Sequence, residues 1–144
     1  MFEMFDQRAQ KGGVYDMMRE ELTASGVKEL LQPEDVDSVL SQPFTGVVFV
    51  NSVCGCAAGA ARPGFIDSLK KQQNPPEAVT VFAGQDKAAT ERAREYFKGQ
   101  PPSSPSFAFF KNGELIGMIH REQIERATAE ELSNGLKEIY SKYY

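Results

Sequence analysis

The chain has 144 residues, 41% of them hydrophobic and 25% charged, which suits one globular domain. A formal net charge of −4 leaves no basic surplus to neutralise phosphates, so nucleic acid is not expected as a partner. With 2 Cys and 1 His, the chain has too few ligands for a disulfide-stapled scaffold or a self-contained tetrahedral zinc site.

Met1 to Gln10 carries Glu3, Asp6 and Arg8 and no apolar run, so no secretory signal is expected. No stretch approaches the ~18 apolar residues of a membrane span, so no membrane association is expected either. The expected compartment is the cytoplasm, where thiols are kept reduced. Met1 to Gly13 reads as a loosely held arm. Asp16 is placed to cap a helix through Met17, Met18 and Leu22, with Gly26 as its stop. Pro33, followed by Glu34 and Asp35, starts a second helix through Val36, Val39 and Leu40. The two helices are expected to form one hairpin packed on the core.

The periodicity then changes. Gly46-Val47-Val48-Phe49-Val50 is a continuous β-branched and aromatic run, the pattern of a strand buried on both faces. It leads through Asn51-Ser52-Val53 into Cys54-Gly55-Cys56 and a helix predicted over Ala57 to Lys71, whose apolar stripe is Phe65, Ile66 and Leu69. Pro63 is expected to kink that helix or end its first turn. Ala78 to Phe82 is a second strand, and Asp86 is expected to cap a helix through Ala89, Ala93, Tyr96 and Phe97, closed by Gly99. After the turn-rich Gln100 to Ser106, Asn112-Gly113 between two apolar runs signals a hairpin of Phe107 to Phe110 with Leu115 to Ile119. Thr128 and Glu131 form a capping box for a last helix with Leu132, Leu136, Ile139 and Tyr140 on its apolar face. Parallel strands joined by helices, followed by an antiparallel hairpin, imply a mixed sheet in a three-layer α/β fold.

Chemistry in such a sheet gathers at the carboxyl ends of the strands. Cys54 falls there, where a buried strand passes into a helix whose free N–H groups and positive dipole end favour a thiolate. Ala57 to Ala61 keep the flank small, so a bulky disulfide partner has room. Two cysteines around one glycine, at this junction, favour thiol chemistry over inert packing. A metal or iron–sulfur site would need two chains, each supplying both thiolates. Pro105 stands before a strand and is compatible with either an ordinary turn or a cis bond that leaves Ser104 backbone groups free for an extended substrate. His120 follows the last strand and reads as a solvated strand-end residue rather than a base. Arg62 is open to two readings: attraction of an anionic thiol substrate, or a salt bridge to Asp67 or another acid.

Phe107 to Glu114, preceded by Pro105-Ser106, resembles the cis-proline strand and Lys-Asn-Gly-Glu turn of thioredoxin. Asn51-Ser52-Val53-Cys54-Gly55-Cys56-Ala57-Ala58-Gly59 with Ala61-Arg62-Pro63-Gly64 is similar, more specifically, to the signature of the bacilliredoxin family. Met18 to Leu22, Phe82 to Asp86 and Pro101 to Ser106 extend the resemblance over nearly the whole chain beyond the arm. It implies a single thioredoxin-like domain over 1–144, with an arm and helical extension over 1–43 and the core over 44–144. It also implies a cytosolic thiol–disulfide oxidoreductase that removes bacillithiol from S-bacillithiolated client proteins. Cys54 would be the attacking thiolate and Cys56 the resolving partner, with Gly55, Ser104, Pro105 and Arg62 around the substrate. No tightly bound cofactor or metal is implied; bacillithiol would be the thiol co-substrate, and bacillithiol or a reductase would regenerate the enzyme. Three positions depart from thioredoxin: Cys-x-Cys replaces Cys-x-x-Cys, Val53 replaces a tryptophan, and Val48 replaces the buried acid. A Cys54–Cys56 disulfide would close a small, strained ring, which favours a mixed disulfide at Cys54 as the oxidised form. A weak disulfide isomerase or reductase and a non-enzymatic iron–sulfur carrier are the competing functions.

Overall fold

The computed structural model describes residues 13–144; the expected arm, apart from Gly13, and the segment weighed as a secretory signal lie outside them. Val48, Val50, Val79 and Val81 point to one side of the sheet, and Val47, Phe49, Phe107 and Phe109 to the other. That alternation is what a strand buried on both faces requires, and helices cover both sides. In chain order the elements are α1 (Val14–Thr23), β1 (Lys28–Glu29), α2 (Pro33–Leu40) and β2 (Gly46–Asn51). A π-helical turn (Ala57–Ala61) runs into α3 (Arg62–Lys70), followed by β3 (Glu77–Phe82) and α4 (Lys87–Glu95). The hairpin β4 (Ser106–Lys111) and β5 (Glu114–Ile119) precedes α5 (Arg121–Glu125) and α6 (Ala129–Tyr143).

The sheet order is β1-β3-β2-β4-β5, parallel as far as β2 and antiparallel from β2 to β5. This is the expected mixed sheet with the expected hairpin. Asn112 and Gly113 both have positive φ, 51° and 82°, as a two-residue hairpin turn demands. Thr128 and Glu131 make the predicted capping box.

The two N-terminal helices do not form a hairpin. Val27 to Leu30 crosses the edge of the sheet instead, with Lys28 and Glu29 pairing beside Val79 and Thr80 as β1. Leu22 of α1 therefore packs on one face with Phe65 and Leu136, while Val36 and Leu40 of α2 pack on the other with Ala89 and Phe97. The sheet thus begins inside the segment that the sequence assigns to the helical extension. Helix α1 starts at Val14, with Asp16 inside its first turn rather than capping it, and Met17 is 59% exposed. Asp86 stands at the N-terminus of α4 without capping it by its side chain, because its carboxylate accepts hydrogen bonds from Arg19 at 2.7 and 3.1 Å.

The helix predicted over Ala57 to Lys71 is divided. Pro63 has no N–H and its ring crowds the carbonyl of Gly59, so the preceding turn widens, and the Arg62 N–H bonds to the Ala57 carbonyl. Helix α3 then approaches α6 closely at Gly64, where a Cβ would lie 2.9 Å from the Ala129 carbonyl oxygen. Phe65 meets Phe49 and Phe107 in an aromatic cluster beneath the turn, with ring centres 4.7 to 5.3 Å apart.

Candidate active site

Strand β2 ends at Asn51, and the next residues carry the chain out of the sheet to Cys54, where the backbone turns helical from Gly55 onward. The Cys54 carbonyl accepts hydrogen bonds from the Ala57 and Ala58 N–H groups, which closes that first turn. The two sulfurs lie 2.8 Å apart, each half-buried and neither in a disulfide. A Cβ placed on Gly55 would meet nothing within 4 Å, so the backbone between the two cysteines faces open space.

The sulfurs are electrostatically unequal. Burial raises the pKa of Cys54, but hydrogen bonds outweigh it: from the Cys56 thiol, the Ser52 hydroxyl, and the backbone N–H groups of Ala57 and Cys56. The net result holds Cys54 below the ordinary thiol value. Cys56 moves the other way, raised by burial, by its hydrogen bond to Cys54 and by the Cys54 charge, with Arg121 opposing. Of the two sulfurs, Cys54 is the one whose surroundings favour the thiolate, and Cys56 the one whose surroundings favour the thiol.

The loop that carries Cys54 is held from below. The Cys54 N–H donates to Ser52 Oγ at 3.2 Å, and the Ser52 N–H to Asn51 Oδ1 at 2.9 Å. Arg62 Nη1 donates to Asn51 Oδ1 at 3.0 Å and to the Ser52 carbonyl at 2.7 Å. Its Nε donates to Glu21 of α1 at 3.2 Å. Arg62 is only 2% exposed. Its guanidinium therefore presents no surface to an incoming thiol, contrary to the substrate-binding role expected for it. The salt-bridge reading fits the placement, with Glu21 as the acid; Asp67 pairs with Lys71 instead.

Across the site, Val50 of β2 is registered against Ser106 of β4, which brings Ser104 and Pro105 to the same end of the sheet as the cysteine loop. The Ser104–Pro105 peptide bond is cis and Pro105 is buried. The Ser104 carbonyl is not free, because Arg121 Nη1 donates to it at 3.3 Å.

The family model described as "Disulphide isomerase" matches residues 11–144. Bacilliredoxins of Staphylococcus aureus strains NCTC 8325 / PS 47 and MRSA252 are each 50% identical over 131 residues, covering 91% of this chain and 90% of theirs. The chain belongs to the bacilliredoxin family. Among solved structures, oxidised thioredoxin from Plasmodium falciparum superimposes with TM-score 0.56 at 22% identity, over 81% of this chain and 97% of its own. Thioredoxin O2 from Arabidopsis thaliana gives 0.55 at 20% identity, over 84% and 97%. The fold is thioredoxin-like, and the cysteine pair belongs to a thiol–disulfide oxidoreductase.

In this bacilliredoxin-family chain, Arg121 is the site residue that sequence reasoning missed. It stands first in α5, a short helix packed against the π-helical turn, and its Nε donates to Glu125 at 2.6 Å. Its own pKa is raised, first by Glu125 and then by the charges of Cys56 and Cys54. Nothing in the local pattern distinguishes Arg121 from a solvated helix residue; only the fold carries it to the cysteines. His120 caps α5, with Nδ1 2.7 Å from Ser103 Oγ and Nε2 2.9 Å from Gln100 Oε1. Both ring nitrogens are occupied, so the imidazole braces the wall of the site and is not poised as a base. Among the described residues, no group of three or more His, Cys, Asp or Glu comes together as metal ligands, and no helix is long and apolar enough to cross a membrane.

The unequal sulfurs give an expected alkylation pattern. Iodoacetamide reacts only with thiolates, so Cys54 is expected to be modified first. Its rate should climb with pH and level off below the ordinary thiol range, near about 8.5. Removing the Cys56 S–H donor by Cys56→Ala should move the midpoint upward. Peptide mapping by mass spectrometry across pH checks this; faster modification of Cys56 would reverse the assignment.

Proposed function

We propose that this chain removes bacillithiol from S-bacillithiolated client proteins. The Cys54 thiolate attacks the bacillithiol sulfur of the mixed disulfide, whose S–S bond breaks as the Cys54–bacillithiol disulfide forms. The client sulfur leaves as a thiolate and takes a proton from water, so the client is reduced and Cys54 oxidised. Cys56, once deprotonated, attacks Cys54 Sγ, releases bacillithiol thiolate and leaves a Cys54–Cys56 disulfide. Alternatively, an external thiol attacks the adduct directly. Either route needs a two-electron thiol or reductase donor to close the cycle. Such a cycle belongs in a reducing compartment such as the cytoplasm. The observation that carries this reading is a sulfur held below its ordinary pKa 2.8 Å from a second one, in a chain half identical to proteins named bacilliredoxin.

The test uses a bacillithiolated client and the Cys56→Ser variant. Intact mass should show one bacillithiol retained on the variant, at Cys54, with stoichiometric release of client thiol. A variant that releases the client without gaining the adduct would refute the mechanism. The name of the matching family model favours a second reading, disulfide isomerisation. That reading gains if the wild-type protein reshuffles a scrambled disulfide substrate faster than it removes bacillithiol.

A further inference from the structure

At the cysteine end of the sheet lies a half-open groove of about 470 Å³, lined by Pro101 to Ser104, His120, Arg121 and Glu125, with Arg94 and Glu122 completing it. Its volume falls in the range of small-molecule sites, roughly 300–1,000 Å³, and is far too small for a folded client. Its walls carry two arginines and two glutamates, so an apolar side chain of a client loop would strip water from those charges and return no hydrogen bonds.

We propose that this groove is the subsite for the small-thiol half of a mixed disulfide, and that Arg121 selects a thiol bearing a carboxylate. The inference rests on the reading that small-thiol mixed disulfides are the substrate, and it adds the residue that reads them. The geometry supports it in three ways. The groove opens beside the Ser104–Pro105 bond, which the β2–β4 register holds at the cysteine end of the sheet. A small thiol left on Cys54 is thus carried at the same end of the sheet as the groove. Arg121 uses Nε on Glu125 and one Nη1 proton on the Ser104 carbonyl. Those two bonds fix the guanidinium plane. Its three remaining N–H groups have no protein partner among the described residues, leaving donors for a carboxylate. Finally, the charges of Cys56 and Cys54 both act on Arg121, which places the guanidinium within electrostatic reach of the reacting sulfurs. Glu122 and Glu125 balance Arg94 and Arg121, so the groove as a whole carries no surplus positive charge and selection falls to the free donors of Arg121. Arg62, buried beneath the loop, has no part in this selection.

The test keeps one neutral peptide as client and varies only the small thiol disulfide-linked to it. The three probes are 3-mercaptopropionate (anionic), 2-mercaptoethanol (neutral) and cysteamine (cationic). Release of peptide thiol is measured for each and divided by its rate with dithiothreitol, which removes intrinsic reactivity. In the wild-type protein the anionic probe should be favoured over the neutral one by about tenfold, the effect of one well-formed charge-assisted contact. Arg121→Gln should bring that ratio close to one, and Arg121→Lys should retain part of it. A wild-type ratio near one overturns the proposal, as does a ratio that Arg121→Gln leaves unchanged. If the substitution slows both probes equally, the guanidinium serves the thiolates alone and the subsite is refuted. None of the probes contains bacillithiol. Failure to remove bacillithiol with the ratio intact would refute the proposed function and spare the subsite, whereas the reverse result would refute only the subsite.

Discussion

Replacing Cys54 by serine is expected to lower thiol–disulfide exchange by at least about 10³-fold, whichever mixed disulfide is offered. A hydroxyl at this position has no neighbouring base to activate it. His120 has both nitrogens engaged, and the β2 position at which the resemblance to thioredoxin implies a buried acid holds Val48. The surroundings of Cys54 lower a thiol's pKa through donated hydrogen bonds, but the same donors cannot bring a serine to its alkoxide near neutral pH. Cys56 does not take over, because its thiol is raised by burial and by the neighbouring sulfur, and removing Cys54 relieves only the second of these effects. The Cys56→Ser variant should behave differently, completing the first exchange and stalling at the adduct. Single-turnover release of client thiol, measured for both variants, separates these outcomes. Equal first-turnover rates for Cys54→Ser and wild type would remove Cys54 from the mechanism.

The sequence made the centre of the fold legible and left its edges obscure, for a physical reason. β2, β3 and the β4–β5 hairpin are continuous apolar runs with strong turn signals, and each lies where the pattern places it. The cysteine pair was visible because a strand-to-helix junction is a local feature. β1 was not visible, since two residues, Lys28 and Glu29, carry no periodicity. Without it, α1 and α2 read as neighbours when they lie on opposite faces of the sheet. The π-helical turn escaped because Pro63 signals an interruption without specifying its form. The remaining gaps are long-range contacts. Arg62 reaches Glu21 across 41 positions, and Arg121 reaches the Ser104 carbonyl across 17. Sequence spacing alone offers Arg62 a nearer acid in Asp67, which the fold gives to Lys71 and Ser133.

Arg62→Met is expected to destabilise the fold and blunt Cys54 together, and the source of the loss can be assigned in advance. Glu21 is 49% exposed at its side chain, so water rehydrates its carboxylate when the guanidinium is removed, and the ion pair itself contributes little. Asn51 Oδ1 still accepts from the Ser52 N–H. The Ser52 carbonyl, however, loses its donor in a buried setting, and a charged donor to such a group is worth roughly 1.5–3 kcal/mol. For a domain of this size that corresponds to a fall in Tm of about 3–12 °C. The same loss frees Ser52, whose hydroxyl helps hold the Cys54 thiolate, so the alkylation midpoint of Cys54 should rise. Glu21→Gln should leave both readouts nearly unchanged, and Arg62→Lys, with one compact donor in place of a fork, should fall between. Thermal denaturation and the pH profile of Cys54 alkylation measure the two effects on the same samples. A Glu21→Gln cost equal to that of Arg62→Met would locate the energy in the ion pair instead. A lower Tm with an unmoved alkylation midpoint would reduce Arg62 to packing, with no hold on the Cys54 thiolate.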